Sequence, residues 1–299
     1  MMRGVISGIK RMEIHDGDGL RTTVFFKGCP LRCLWCHNPE SLNRTPELAC
    51  FRAKCIGCGT CSSVCPTGAV RNGTVDETQC RKCFRCADAC PTEALVGFGQ
   101  TVTADEVFEL VKPDFPYFAN GRGGVTLSGG ECLFQPEFAV VCAKRFSEEG
   151  ISVDIDTCGF APFSVFEKIL PYTDTFLFDV KAVDRERHRF LTGQDNAVIL
   201  ENLKQLSLRG AKIEIRYPFA IGYNDGECAK IGGLLSTLNG IKKVKVLPLH
   251  RFAASRYEAL GKPVTLPPET AVPSAEQMRS AVQTLCGFGL NAVNGAKDD

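Results

Sequence analysis

Thr22-Thr23-Val24-Phe25-Phe26-Lys27-Gly28-Cys29-Pro30-Leu31-Arg32-Cys33-Leu34-Trp35-Cys36 runs from a β-branched and aromatic stretch directly into a loop with three cysteines at Cys-x3-Cys-x2-Cys spacing. This segment reads as a strand followed by a thiol-bearing loop. Further extended apolar runs fall at 125–128, 152–156, 175–180, 212–217 and 244–249, making six expected strands with 22–26. Amphipathic helical stretches separate them at 136–149, 162–170, 197–209 and 227–238, and at 103–111, where Thr103 and Glu106 have capping-box spacing. A last helix at 275–285 leads towards a short strand at 290–293. Strands alternating with helices predict an α/β domain with a parallel, barrel-like sheet. Such folds carry their chemistry on the loops after the C-terminal strand ends, which is where the three cysteines stand.

The 299 residues allow one or two domains. With 35 basic against 34 acidic residues the net charge is +1, and no long block of one sign occurs, so neither nucleic acid nor an anionic membrane is an expected partner. No apolar run approaches the roughly 20 residues that span a bilayer. Residues 1–18 lack the apolar core of a signal peptide, so the expectation is a cytoplasmic protein with reduced thiols. The many cysteines, 17 in all, then read mainly as ligands and not as disulfides.

Eight of them form two matching runs, Cys55-x2-Cys58-x2-Cys61-x3-Cys65-Pro66 and Cys80-x2-Cys83-x2-Cys86-x3-Cys90-Pro91, repeated 25 residues apart. The runs resemble the bacterial ferredoxin motif, in which the fourth cysteine crosses to the other cluster. That resemblance implies one 4Fe-4S cluster on Cys55, Cys58, Cys61 and Cys90, and a second on Cys80, Cys83, Cys86 and Cys65. The expected organisation is therefore a ferredoxin-like insertion over 50–95 within a domain made of 1–49 and 96–299. Structural zinc sites also use Cys-x2-Cys pairs, but they need neither the third cysteine nor the Cys-Pro of each run. A disulfide framework is the other rival, and it is disfavoured in a reducing compartment.

Three thiolates occupy three irons of a cubane and leave the fourth open to a ligand. Cys29-x3-Cys33-x2-Cys36, with Trp35 before its last cysteine, resembles the hallmark of radical S-adenosylmethionine (SAM) enzymes. The resemblance implies the partial (β/α)6 barrel of that superfamily, with Cys29, Cys33 and Cys36 as the catalytic set and Trp35 beside the cofactor. In that family SAM is bound through its amine and carboxylate and cleaved reductively to a 5′-deoxyadenosyl radical. The flanks Asp16-Gly17-Asp18-Gly19-Leu20-Arg21-Thr22 and Cys36-His37-Asn38-Pro39-Glu40 are similar to glycyl-radical enzyme activating enzymes, with Asp18 where relatives carry proline. This implies a glycyl-radical enzyme as protein substrate and a flavodoxin or ferredoxin as reductant. The insertion narrows the group to activators of lyases, dehydratases and decarboxylases, since those of pyruvate formate-lyase and anaerobic ribonucleotide reductase lack it.

The same resemblance assigns further residues. Ser128-Gly129-Gly130-Glu131 matches a segment whose glycines admit the cofactor closely and whose Glu131 lies near its amino group. Asp156 and Asp179, with the carbonyls of Thr157 and Val180, match the ligands of a monovalent cation beside the cofactor carboxylate. A helix N-cap is the simpler role for either aspartate. Lys181 stands in the second of these segments, Arg216 is expected on the cofactor and His250 near its ribose. Ala220-Ile221-Gly222 replaces the usual Ile-Pro-Gly. Cys132 and Cys158 read as packed spectator thiols. His15, His37 and His188 read as structural histidines, with His37 packing beside the cluster. Two other readings remain open: a radical SAM enzyme acting on a small molecule or peptide, and a pure electron-transfer iron-sulfur protein.

Overall fold

The computed structural model describes residues 2–71, 73–118 and 123–296. Its strands are β1 (Arg3–Glu13), β2 (Arg21–Phe26), β3 (Glu47–Cys50), β4 (Val70–Arg71), β5 (Thr74–Val75), β6 (Leu95–Phe98), β7 (Gln100–Thr103), β8 (Gly124–Gly129), β9 (Ser152–Thr157), β10 (Thr175–Asp179), β11 (Ile213–Phe219), β12 (Ile241–Pro248) and β13 (Ala292–Asn294). One nine-stranded sheet runs in the order β13-β12-β11-β10-β9-β8-β2-β1-β7. Neighbours from β2 through β8 to β13 are parallel, as a chain of strand-helix-strand crossovers requires. β7 and β13 are the two ends of the order, so the sheet is an open arc, a partial barrel. β8 to β11 are largely buried, and their apolar residues are interrupted in β9 and β11 by the buried charged side chains Asp154, Glu214 and Arg216.

β1 and β7 were not expected. β1 pairs antiparallel with β2 on one side and β7 on the other. Most of its residues are only half-buried or exposed, and Gly4 and Gly8 interrupt its pattern, so no alternation announces it. The crossover helices occupy Ala104–Val111, Pro136–Ser147, Phe163–Ile169, Ala197–Leu208, Cys228–Leu235 and Ala275–Cys286. The capping box at Thr103 is formed: its hydroxyl accepts from Glu106 N at 3.2 Å, and Glu106 accepts from Thr103 N at 2.7 Å. A further helix, Arg185–Thr192, is bounded by Asp184, which accepts from Arg187 N, and by Gly193 at φ +74°.

The segment between β2 and β7 rises on an antiparallel ribbon, β3 with β6, from Glu47 opposite Phe98 to Cys50 opposite Leu95. Beyond it lies a small core of Leu48, Cys61, Val70, Cys86 and Leu95. The 25-residue repeat is visible in the backbone. Gly57, Gly59 and Gly68 lie at φ +70°, +75° and +66°, and their counterparts Lys82, Phe84 and Glu93 lie at +53°, +59° and +52°.

Candidate active site

A cleft of about 410 Å³ opens at the C-terminal ends of the parallel strands. Cys29, Cys33, Trp35 and Cys36 line it, with Ser128 to Gly130 at the end of β8, Asp156 to Cys158 at the end of β9, Asp179 and Lys181 at the end of β10, Arg216 from β11 and Leu247 to His250 at the end of β12. Strand register brings these together: Phe26 lies beside Gly129, Phe178 beside Thr157, and Asp179 beside Arg216.

The cysteine loop is held on both flanks. Gly28 N and Cys29 N donate to the carbonyls of Ser41 and Leu42, at 2.8 and 3.2 Å, while Arg32 N and Leu34 N donate to Thr192 and Leu191 at 2.8 and 3.0 Å. The Arg185–Thr192 helix, unexpected from the sequence, is thus what the loop leans on. Trp35 closes the contact by packing with Ala182, Leu191, Ala220 and Leu249. Burial pushes the thiol of Cys33 up to about 12 and that of Cys36 up to about 11. The donor set is all sulfur, it numbers three, and open volume adjoins it; a cubane with one free iron and a small ligand fits these residues.

The charged groups pair before any ligand enters. Ser128 donates to Asp156 at 2.5 Å, and the Arg216 guanidinium lies 3.4 Å from Asp156 and 3.3 Å from Asp16. Burial raises the Asp156 carboxyl to about 7, opposed by Arg216 and reinforced by Asp179 and Asp16. Lys181 donates to Asp179 at 2.5 Å. Burial alone would lower the Lys181 ammonium, but Asp179 and the thiols of Cys33 and Cys158 raise it. Arg216 is thus shared by Asp156 and Asp16 and Lys181 serves Asp179, so the two carboxylates expected to bind a monovalent cation already have cationic partners. Among the described residues no three His, Cys, Asp or Glu side chains group to hold a single ion.

Glu131, expected near the cofactor's amino group, is 1% exposed, and its carboxylate is engaged by the protein's own donors. One oxygen accepts from Leu133 N and the Thr157 hydroxyl at 3.0 and 2.8 Å, the other from Cys158 N at 2.7 Å. It ties the turn after β8 to the end of β9. Gly129 and Gly130 have a related reason: a Cβ at Gly129 would lie 2.2 Å from Phe26 N, and one at Gly130 2.5 Å from the Gly28 carbonyl. The glycines let two strand ends approach each other. Cys158, read as a spectator, lines the cleft, and its thiol meets that of Cys29. Cys132 is packed, 3.6 Å from the Asp156 carbonyl. His37 also lines the cleft, stacked on His250 with ring centroids 3.6 Å apart. Burial and the His250 ring lower His37 to about 4. His188 is buried and bonded through Nδ1 to the Gln194 carbonyl at 2.8 Å.

The tetrad thiols line two separate cavities. Cys55, Cys58, Cys61 and Cys90 face one, and Cys65, Cys80, Cys83 and Cys86 face the other. In each set, one cysteine has crossed over from the other run.

Residues 23–235 match the Radical SAM superfamily. The chain is 40% identical to the choline trimethylamine-lyase activating enzyme of Oleidesulfovibrio alaskensis, covering 87% of each. It is 38% identical to the trans-4-hydroxy-L-proline dehydratase activating enzyme of Clostridioides difficile, covering 87% of this chain and 89% of that one. With the benzylsuccinate synthase activating enzyme of Thauera aromatica the identity is 35% over 99% of this chain and 96% of that one. A solved domain of a pyruvate-formate lyase-activating enzyme from Bacteroides vulgatus is similar to 57% of this chain over 98% of its own length, at TM-score 0.50 and 26% identity.

Proposed function

Because the chain belongs to the glycyl-radical enzyme activating enzymes of the radical SAM superfamily, we propose that Cys29, Cys33 and Cys36 hold its 4Fe-4S cluster and that the cleft beside them binds SAM. When bound, the two supply a 5′-deoxyadenosyl radical that removes a Cα hydrogen from one glycine of the partner enzyme. The protein's task is to orient and enclose. Trp35 and its apolar neighbours wall the cleft on one side. Arg216 Nε and His250 Nδ1 are buried without a hydrogen-bond partner among the described residues, so each has capacity for a polar group of the ligand. Lys181 places an ammonium beside the cysteines for a carboxylate, and Glu131 fixes the turn that carries Ser128 to Gly130. The observation that carries this reading is the convergence of three loop thiols with residues from five strand ends on one cleft.

The two tetrads hold two further 4Fe-4S clusters in this reading, fed by a flavodoxin or ferredoxin in the cytoplasm. Among the described residues no helix is long and apolar enough to cross a membrane. The partner is a lyase, dehydratase or decarboxylase type of glycyl-radical enzyme; relatives named for lyases, a dehydratase and a synthase favour a protein substrate over a small molecule. Anaerobic reconstitution followed by dithionite and SAM is expected to yield 5′-deoxyadenosine and methionine. No product from protein with intact clusters would overturn the reading. Three cubanes need about twelve irons per chain, and a content of about four would overturn the auxiliary clusters.

A further inference from the structure

We propose that the face of the second tetrad, around Cys83, is the docking surface for an acidic electron-carrier protein. The proposal rests on reading the tetrads as 4Fe-4S sites, and it concerns which of the two meets the donor. The two cavities have the same cysteine geometry and different rims. The first is bordered by Ile56, Gly57, Gly59, Thr60 and Thr92, with no charged side chain. The second is bordered by Arg81 and Lys82, and Arg85 opens the short helix Arg85–Asp88 that follows.

Arg81 and Arg85 flank Cys83, and all three are exposed. Neither arginine has an ion-pair partner among the described residues, whereas Lys82 is taken by Glu77. Two guanidinium groups are therefore free beside an exposed ligand thiol. Residues 50–95 carry six basic and four acidic side chains, a net +2, while the remainder of the chain, from a total of +1, carries −1. The positive charge is weighted towards the module, and three of its six basic side chains, Arg81, Lys82 and Arg85, fall within two residues of Cys83. Complementary charge raises encounter rates and orients the partner more than it raises affinity. The fitting partner is a redox protein whose own cofactor edge is rimmed by carboxylates. One electron leaves that partner, which is oxidised by one, and one cluster is reduced by one; no bond or proton moves.

The test compares the reconstituted full chain with Arg81→Glu/Arg85→Glu and with Arg52→Glu/Lys54→Glu, which alters cations preceding the first tetrad. Cluster bleaching is followed after mixing with an acidic flavodoxin hydroquinone and, separately, with dithionite. The 81/85 pair is expected to slow flavodoxin reduction about tenfold at low salt, to flatten its salt dependence, and to leave dithionite reduction and iron content unchanged. Arg81→Gln/Arg85→Gln, which removes charge without reversing it, is expected to give a smaller loss. A flavodoxin rate equal to the unaltered protein's, an equal slowing with dithionite, or a loss carried by the 52/54 pair would overturn the proposal. An iron content of about four per chain in the unaltered protein would instead overturn the cluster reading beneath it.

Discussion

The three-cysteine loop and the paired tetrads place the same ligand chemistry in different surroundings. Cys33 and Cys36 lie in a cleft where burial pushes their thiols up to about 12 and 11, while the contact with Cys158 lowers Cys29. In the tetrads Cys55, Cys58 and Cys83 are exposed and Cys65 is drawn down to about 7 by hydrogen bonds from the backbone and hydroxyl of Thr67, whereas Cys61 and Cys86 are buried and burial raises Cys86 to about 11. A site that generates a reactive species needs walls, because water and stray hydrogen donors compete for it. A site that exchanges electrons needs an approachable edge. The difference fits the proposed division in which the loop is the reacting centre and the tetrads supply its electrons.

The largest effect that tests this division comes from paired deletions. Cys33→Ala is expected to give no 5′-deoxyadenosine with any reductant and to lower iron by about four per chain. Cys83→Ala is expected to keep dithionite-driven product within about twofold while flavodoxin-driven product falls about tenfold. Equal losses for the two variants with dithionite would erase the distinction.

The two regions are joined at Glu47, on the root strand of the insertion. Its carboxylate lies 2.9 Å from Lys27 Nζ, two residues before Cys29, and 2.8 Å from Lys262 Nζ. Lys27 is fully buried, and desolvation lowers its ammonium despite Glu47. Glu47→Ala strands that charge and is expected to cost about 3–5 kcal/mol in denaturant unfolding. A loss below about 1 kcal/mol would mean that Lys27 finds another partner or becomes neutral.

Assembly should differ with pH, since thiols must lose protons to bind iron. Between pH 7 and 9 Cys33 and Cys36 both remain below their raised values, so iron binding at the loop is expected to rise by up to about tenfold per pH unit for each. In the tetrads Cys65 is already near half ionisation at pH 7 and hydrogen bonds also lower Cys58 and Cys90, but burial raises Cys86 to about 11, so their profile is expected to be shallower than the loop's and not flat. Iron titration of a protein retaining only the loop cysteines, beside one retaining only the tetrads, measures the contrast. A loop profile as shallow as that of the tetrads would break it.

The parts legible in the sequence are those that chemistry makes repetitive. Cysteine spacing gives three sets of thiols, and the buried strands β8 to β11 show as short β-branched and apolar stretches. β1 was hidden because its residues are mostly half-exposed. The Arg185–Thr192 helix was hidden by its charge, although Asp184 and Gly193 punctuate it. Direction was harder still. The position of Glu131 after β8 says that it lies near the cleft, yet the side chain turns inward to three donors on β9 and its own turn. His37 enters the cleft wall only because its ring finds that of His250, 213 residues away.

The smallest predicted effect sharpens the comparison inside the insertion. Both halves need left-handed backbone at equivalent points, and the first supplies glycine where the second has Lys82, Phe84 and Glu93. A left-handed residue with a Cβ costs roughly 1–2 kcal/mol. Phe84 has a compensating role, since its ring fills the space a side chain at Gly97 would occupy, 2.5 Å from the position of such a Cβ. Lys82 pairs with Glu77. Glu93 is exposed and gains nothing comparable, so Glu93→Gly is expected to stabilise the module by about 1 kcal/mol. Gly68→Ala at the matching point is expected to destabilise it by a similar amount, about 1 kcal/mol. Thermal unfolding of the reconstituted protein reads both. Equal and opposite shifts would show that the two halves share one backbone requirement, while a loss from Glu93→Gly would show that the second half depends on its side chain.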